Sequence, residues 1–285
     1  MVAKMFLTIS GVSDSFHALN KKLMFSPAFK IIKCKQCGYG YYNRYITPES
    51  IKQYYEEEYW NSEGLPREQW KDIELFLNDI RAQGQYQCIK PILKRSSVFN
   101  VLEVGAGAAL FSRYLKNKYE QDVNLHVVEP GNGWQEYYQE LEINRVAGFF
   151  PFESKQKFDY IHTSHWLEHV LDLDQTLKEL KKLLNCKAYL FIEVPNCNEE
   201  YFSSNISDTP HIHFFTKQSL QKLLEKYGFN TITIGEYGIT NSEEHMRRTI
   251  NPQVIENKRD EIRESLSGNV NRDGGSCIRG LFQLV

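Results

Sequence analysis

Two glycines and two acidic residues carry chemistry in their spacing alone. In Val101-Leu102-Glu103-Val104-Gly105-Ala106-Gly107 the apolar run Phe99–Val104 breaks into a glycine turn, and a helix pattern opens near Leu110. A strand, a glycine turn and a helix start bring backbone N–H groups to a place that a nucleotide can approach closely. The third glycine of G-x-G-x-x-G would fall on Leu110, and Glu103 stands two positions before the first. A carboxylate there suits an ammonium group and not a pyrophosphate. Glu129 ends a second apolar run, Leu125–Val128, 22 residues past Gly107. At that interval a second-strand carboxylate grips ribose hydroxyls.

The side chains able to move a proton gather further along. Ser164-His165-Trp166-Leu167-Glu168-His169 follows the strand-like run 158–163, and His211-Ile212-His213-Phe214-Phe215 follows the apolar run 188–194 with its Pro195 and Asn196. Four of the eight histidines thus fall in two short loops at the carboxyl edge, where open α/β sheets bind ligands. A neutral imidazole takes a hydroxyl proton near physiological pH. His169 and His213 are therefore candidate bases, with a hydrogen-bonding, loop-orienting role as the alternative for each; His213 precedes a helix start that it could cap. One of the phenylalanines in Gly148-Phe149-Phe150-Pro151-Phe152-Glu153 is a candidate to stack on a nucleobase, or all three belong to the core.

These residues need a frame, and the pattern supplies one. From Phe99 strands and helices alternate over 99–104, 110–118, 125–129, 133–141, 158–163, 173–184, 188–194, 216–227 and 230–237, with a last strand at 278–285. Such alternation predicts a doubly wound, mostly parallel sheet. Thr216 reads as the N-cap of a helix that Gly228 ends, and Asp172 and Asp174 sit at the positive end of the helix before it. Residues 241–276 are polar, an insertion in the terminal hairpin that serves either as a lid or as a solvated surface helix. Residues 1–60 form an N-terminal arm with eight aromatic residues between Tyr39 and Trp60, too many for a free tail, so the arm is expected to pack onto the main domain.

The segments VLEVGAGAALFSRYL, VVEP, FDYIHTSHWLEHVLDLDQTLKELKKLL and HIHFFTKQSLQKLLEKYGF, in that order, resemble the class I S-adenosylmethionine-dependent methyltransferases. KCKQCGYGYYN and ITPESIKQYYEEEYW resemble the zinc-ribbon segment and linker of a bacterial branch of that family, so that the resemblance spans roughly 7–235. It implies a Rossmann-like, mostly parallel seven-stranded sheet with an antiparallel last strand, with S-adenosylmethionine as methyl donor and S-adenosylhomocysteine as product. It implies that Glu103, Gly105, Gly107, Glu129, Phe150 and His165 hold the cofactor, with His165 beside its methionine part. The acceptor it implies is a small metabolite or an activated sugar, methylated on oxygen, and the candidate catalytic residues for that step are His169, His213 and His165. Methylation of carbon or nitrogen, and a cofactor-binding subunit without catalysis, stay open as alternatives.

Two departures matter. A ribbon needs two C-x-x-C knuckles around zinc; Cys34 and Cys37 make one, while Leu7 and Ser10 stand where the other belongs, so zinc is not expected unless His17 completes a site. Glu168-His169 with a later histidine is similar to the metal site of the small-RNA 2′-O-methyltransferases, but His165 replaces their first glutamate. The first expectation is no catalytic metal. The alternative is Glu168, His169 and His213 around zinc, iron, nickel or manganese in preference to magnesium.

Charge narrows the partners. Thirty-four basic and thirty-six acidic residues leave a net charge of −2, which offers no broad field for nucleic acid or an anionic membrane. No apolar run reaches the length of a membrane span. Six scattered cysteines suit the reduced thiols of a cytoplasm.

Overall fold

A computed structural model describes residues 6–9, 31–42, 47–53, 55, 72–93, 99–119, 123–203, 211–240 and 273–285. Along the main body run β4 (Phe99–Val104), α3 (Leu110–Tyr119), β5 (Val123–Val128), α4 (Gln135–Glu140), β6 (Asn144–Ala147), β7 (Phe158–Ser164), α5 (Leu173–Leu183), β8 (Leu184–Pro195), α6 (Glu199–Ser203), β9 (His213–Phe214), α7 (Lys217–Lys226), β10 (Phe229–Thr240) and β11 (Gly275–Leu284). Before them come β1 (Phe6–Ile9), β2 (Ile31–Cys34), β3 (Gly40–Tyr42), α1 (Pro48–Gln53) and α2 (Asp72–Ile89).

A seven-stranded sheet runs in the order β10-β11-β8-β7-β4-β5-β6. The pairs β4–β5, β4–β7, β5–β6 and β7–β8 are parallel, while β11 is antiparallel to both neighbours. This is the Rossmann-like fold expected from the alternating pattern. Successive side chains leave a strand on opposite faces, so each inner strand feeds two cores. Leu102, Ile161, Leu190 and Ile192 join Leu177 and Leu180 of α5 and Leu220 and Leu224 of α7. Val101, Tyr160, Phe191 and Leu281 join Ile89 of α2 and Phe111 and Leu115 of α3.

Both helix starts expected from the sequence are capped. Asp172 accepts from the Gln175 N–H at 3.0 Å, and Thr216 accepts from the Ser219 N–H at 3.2 Å while Ser219 answers to the Thr216 N–H. The strand β6 lies outside the sequence pattern because it is short, polar and only half-buried on the sheet's edge.

The arm does not stand apart. A second sheet runs β1-β2-β3-β9, so a strand from beyond β8 completes the arm's sheet, with Gly40 opposite Phe214 and Tyr41 opposite His213. Tyr39 packs on Phe215 with ring centroids 5.8 Å apart. Cys34 and Cys37 flank the tight turn after β2, and burial pushes the Cys37 thiol up. Ser10, His17, Tyr54, Trp60 and residues 241–272 of the expected insertion lie outside the described residues.

Candidate functional site

The carboxyl ends of β4, β5 and β7 open onto a cavity of about 880 Å³. Its floor is the glycine turn. Gly105 has φ 71° and a Cβ there would stand 2.6–2.8 Å from Trp166, so only glycine fits this left-handed corner. The Gly105 N–H donates to the Val128 carbonyl at 2.9 Å, and Tyr138 donates to the Gly107 carbonyl, which pins the turn from below.

Glu129 stands on the cavity wall beside Gly105 and Gly107. Its Oε2 accepts from the Gly107 N–H at 2.6 Å and its Oε1 from the Gly131 N–H at 3.2 Å. Each oxygen of an ionised carboxylate can accept again, so the group can also serve a ligand hydroxyl. Burial raises its pKa to about 7 against those two N–H donors.

Glu103 is placed differently from the sequence expectation. It is absent from the cavity wall. Its Oε2 takes both the N–H of Ser112 at 3.0 Å and its hydroxyl at 2.5 Å, which ties β4 to the first turns of α3. Burial raises it too to about 7. Alternation along β4 sends Glu103 to the α3 face, where Ser112 meets it.

Phe150 lines the cavity and meets Trp166 edge-to-face at 5.5 Å. Trp166 itself, overlooked among the histidines around it, faces both Gly105 and Phe150. Its bulk and its place between His165 and Glu168 were the signal.

His165, His169 and His213 all reach the cavity wall, but their surroundings separate them. His165 sits at φ 51° between two buried carboxylates, Nδ1 3.4 Å from Glu168 and Nε2 3.4 Å from Glu193. Burial and Arg81 lower its pKa, yet the two carboxylates prevail and raise it, which favours the proton-bearing form. Glu193 is held well below the usual carboxylate range, against the effect of its burial, chiefly by Arg279. Gln85 of α2 and Ser164 complete this buried group at 3.1 and 3.0 Å.

His213 has both ring nitrogens engaged. Its Nε2 donates to the Val170 carbonyl at 2.8 Å and its Nδ1 accepts from the Tyr39 hydroxyl at 2.7 Å. Burial lowers its pKa to about 4. The expectation of a base at His213 is corrected on this ground: its lone pair is held by the arm, and the residue braces β3 against the loop at Val170.

His169 remains, with its Nε2 3.7 Å from the buried Glu168. Burial acts to raise Glu168, but His165, His169 and His211 around it hold it at about 2. The triad anticipated as Glu168, His169 and His213 is likewise corrected. Glu168, His169 and His211 bring their ligand atoms within 4.8 Å of one another, and His213 is not in the group.

The opposite wall comes from the arm. Tyr41 of β3, Pro48, Ile51 and Lys52 of α1, and Tyr55 line it, and Tyr55 lies edge-on to His169 at 6.4 Å. Sequence reading had the arm packing on the main body but not entering the site. Among the described residues no helix is long and apolar enough to cross a membrane.

Residues 67–234 match the family described as the methyltransferase domain. No curated protein sequence matches the chain. Among solved structures, the 1,6-didemethyltoxoflavin-N1-methyltransferase of Burkholderia thailandensis, with 1,6-didemethyltoxoflavin and S-adenosylhomocysteine bound, is similar at TM-score 0.55 and 14% identity; the match covers 91% of this chain and 97% of that one. A possible histamine N-methyltransferase of Thermotoga maritima is similar at TM-score 0.51 and 15% identity, over 75% of this chain and 94% of its own. The plantazolicin methyltransferase BpumL, in complex with a triazolic desmethyl analogue of its substrate and S-adenosylhomocysteine, is similar at TM-score 0.50 and 13% identity, over 82% and 94%. At these identities the likeness is one of fold.

Proposed function

Because this chain belongs to the methyltransferase domain family, we propose that it transfers a methyl group from S-adenosylmethionine to an oxygen of a small acceptor. The observation that carries the reading is the two-sided cavity. One side presents Gly105, Gly107 and Glu129, and the other presents His169 and the aromatic residues of the arm. Its volume of about 880 Å³ lies at the upper end for small-molecule sites and leaves room for a nucleoside and an acceptor together.

S-adenosylmethionine, when bound, supplies a methyl group on a cationic sulfur. Glu129 would hold the ribose hydroxyls, the glycine turn would allow close approach, and Phe150 with Trp166 would form the apolar slot beside them. His165, whose pKa the carboxylates of Glu168 and Glu193 raise, lines the same cavity. Glu103 supports the turn from behind through Ser112. Structural neighbours that carry S-adenosylhomocysteine support the choice of cofactor, and the near-neutral charge supports a small acceptor.

A hydroxyl acceptor must lose its proton as its oxygen bonds to carbon. His169 is the side chain on which that loss depends, as the base itself or through an ion that it ligates. Tyr41, Ile51 and Tyr55 give the acceptor an apolar and aromatic wall.

Calorimetry with S-adenosylhomocysteine tests the reading. Loss of a charge-assisted hydrogen bond costs about 1.5–3 kcal/mol, so Glu129→Ala should bind roughly ten- to a hundredfold more weakly than wild type. Equal affinity would overturn the ribose assignment. Binding of NAD, with none of either S-adenosyl compound, would overturn the cofactor.

A further inference from the structure

Glu168 is buried to 1% exposure, and among the described residues neither of its carboxylate oxygens has a hydrogen-bond donor. Three imidazole nitrogens surround its Oε1: His165 Nδ1 at 3.4 Å, His169 Nε2 at 3.7 Å and His211 Nε2 at 3.8 Å. An imidazolium that donates to a carboxylate closes to about 2.7–2.9 Å, and none of the three does so. The spacings are those of ligands that share an ion. Atoms each about 2.0–2.2 Å from one metal stand roughly 3–4 Å from each other.

We propose that Glu168, His169 and His211 bind one divalent transition-metal ion, zinc foremost, at the corner of the cavity that His169 lines. The ligand atoms of the three lie within 4.8 Å of one another, so a small movement of the rings closes the sphere. Two imidazoles and one carboxylate form a donor set for zinc, iron(II) or manganese(II), whereas magnesium prefers an all-oxygen sphere.

The surroundings aim these ligands. His211 Nδ1 pairs with the Tyr201 hydroxyl at 3.0 Å, which turns Nε2 toward Glu168. Tyr201 is itself placed by its N–H to Asn198 at 2.9 Å. The Ile212 N–H donates to the Glu168 carbonyl at 2.8 Å, so the two loops that carry the ligands are sewn together by backbone. Partners of this kind fix tautomer and ring orientation at metal sites. His169 lies 16% exposed and reaches the cavity, which leaves the ion's open positions on the ligand side.

The inference holds whether or not the methyl-transfer reading does, because binding is read without turnover. The test uses the full chain carrying Cys34→Ser and Cys37→Ser, so that zinc on the cysteine knuckle cannot be mistaken for the site. Metal-free protein is titrated with Zn²⁺ by calorimetry and with Co²⁺ by visible absorption, and circular dichroism checks the fold of each variant. One equivalent should bind, with a cobalt spectrum of four- or five-coordination. Glu168→Gln and His211→Gln should each weaken binding at least about a hundredfold. Tyr201→Phe should weaken it about tenfold, in line with the effect of removing an outer partner. His213→Gln should leave it within about threefold. Absence of stoichiometric zinc or cobalt from the folded protein, or binding indifferent to both Glu168→Gln and His211→Gln, would overturn the site. S-adenosylhomocysteine is titrated into the same samples. Failure of that titration alone bears on the cofactor and leaves the metal site standing.

Discussion

Glu103 and Glu129 are buried carboxylates whose pKa rises to about 7 in the folded chain, chiefly through burial. Unfolded, each ionises near its ordinary value of 4.5. Between those two values the folded chain binds more protons than the unfolded one, so each group lowers stability as pH rises through the window. Glu129→Gln should therefore be more stable than wild type at pH 8, with the gap closing toward pH 5, as urea titrations across that range would show. A gap that widens on acidification would contradict the assignment. His162 and His213, lowered by burial to about 3 and about 4, act in the opposite sense. Their contribution is present above about 6.5 and is lost as pH falls, so the comparison with the Gln variant, not the bare profile, isolates the carboxylate. A second residue-scale outcome concerns turnover. Once an acceptor is in hand, His169→Ala should lower kcat about a hundred- to ten-thousandfold while S-adenosylhomocysteine affinity stays within a factor of about two. The glycine turn and the second-strand carboxylate were legible because the chemistry lies in local spacing. Which of His211 and His213 faces Glu168 was not, since Tyr201 claims one and Tyr39, 174 residues away, claims the other.

Helices α5 and α7 were readable almost to the residue from leucine periodicity and from Asp172 and Thr216 as caps. The strand β9 was invisible. It is two residues long, and its only reason to be extended is the partner strand β3 far away in the chain. Thr216 joins these two facts. Its hydroxyl accepts from the Ser219 N–H and donates to the Cys37 carbonyl at 2.6 Å, so one side chain caps α7 and latches the turn after β2. Gly38 at φ 73° allows the approach, since a Cβ there would stand 2.7 Å from the Thr216 methyl. Thr216→Ala should lower unfolding free energy by about 1–2 kcal/mol, and Thr216→Ser should recover most of the loss. Equal urea midpoints for wild type and Thr216→Ala would show that the latch contributes nothing.

Over the whole molecule, the arm and the main body share one cavity and one small core. Phe214, 1% exposed, packs with Ile31 of β2 and with Cys197, Tyr201 and Phe202. Phe214→Ala should cost about 3–5 kcal/mol. If the arm forms the acceptor's wall, as proposed, the substitution should also raise KM for the acceptor and leave S-adenosylhomocysteine affinity almost unchanged. A KM unaffected by this change would separate the arm from acceptor binding. The seven-stranded sheet was legible at this scale because its alternation is long and regular. The four-stranded sheet was not, because its order is set by contacts between distant segments.

The position of β11 has a consequence for the order in which the molecule can be made. It lies between β8 and β10, both of which precede it in the chain. A chain that leaves the ribosome from its first residue thus presents β8 and β10 before the strand that bridges them exists. Until residues 275–284 emerge, β8 lacks a partner along one side and β10 has no partner strand among the described residues, and open edges of this kind invite association between chains. Once β11 slides in, it pairs with both strands in a single event, so the finished sheet should form late and all at once.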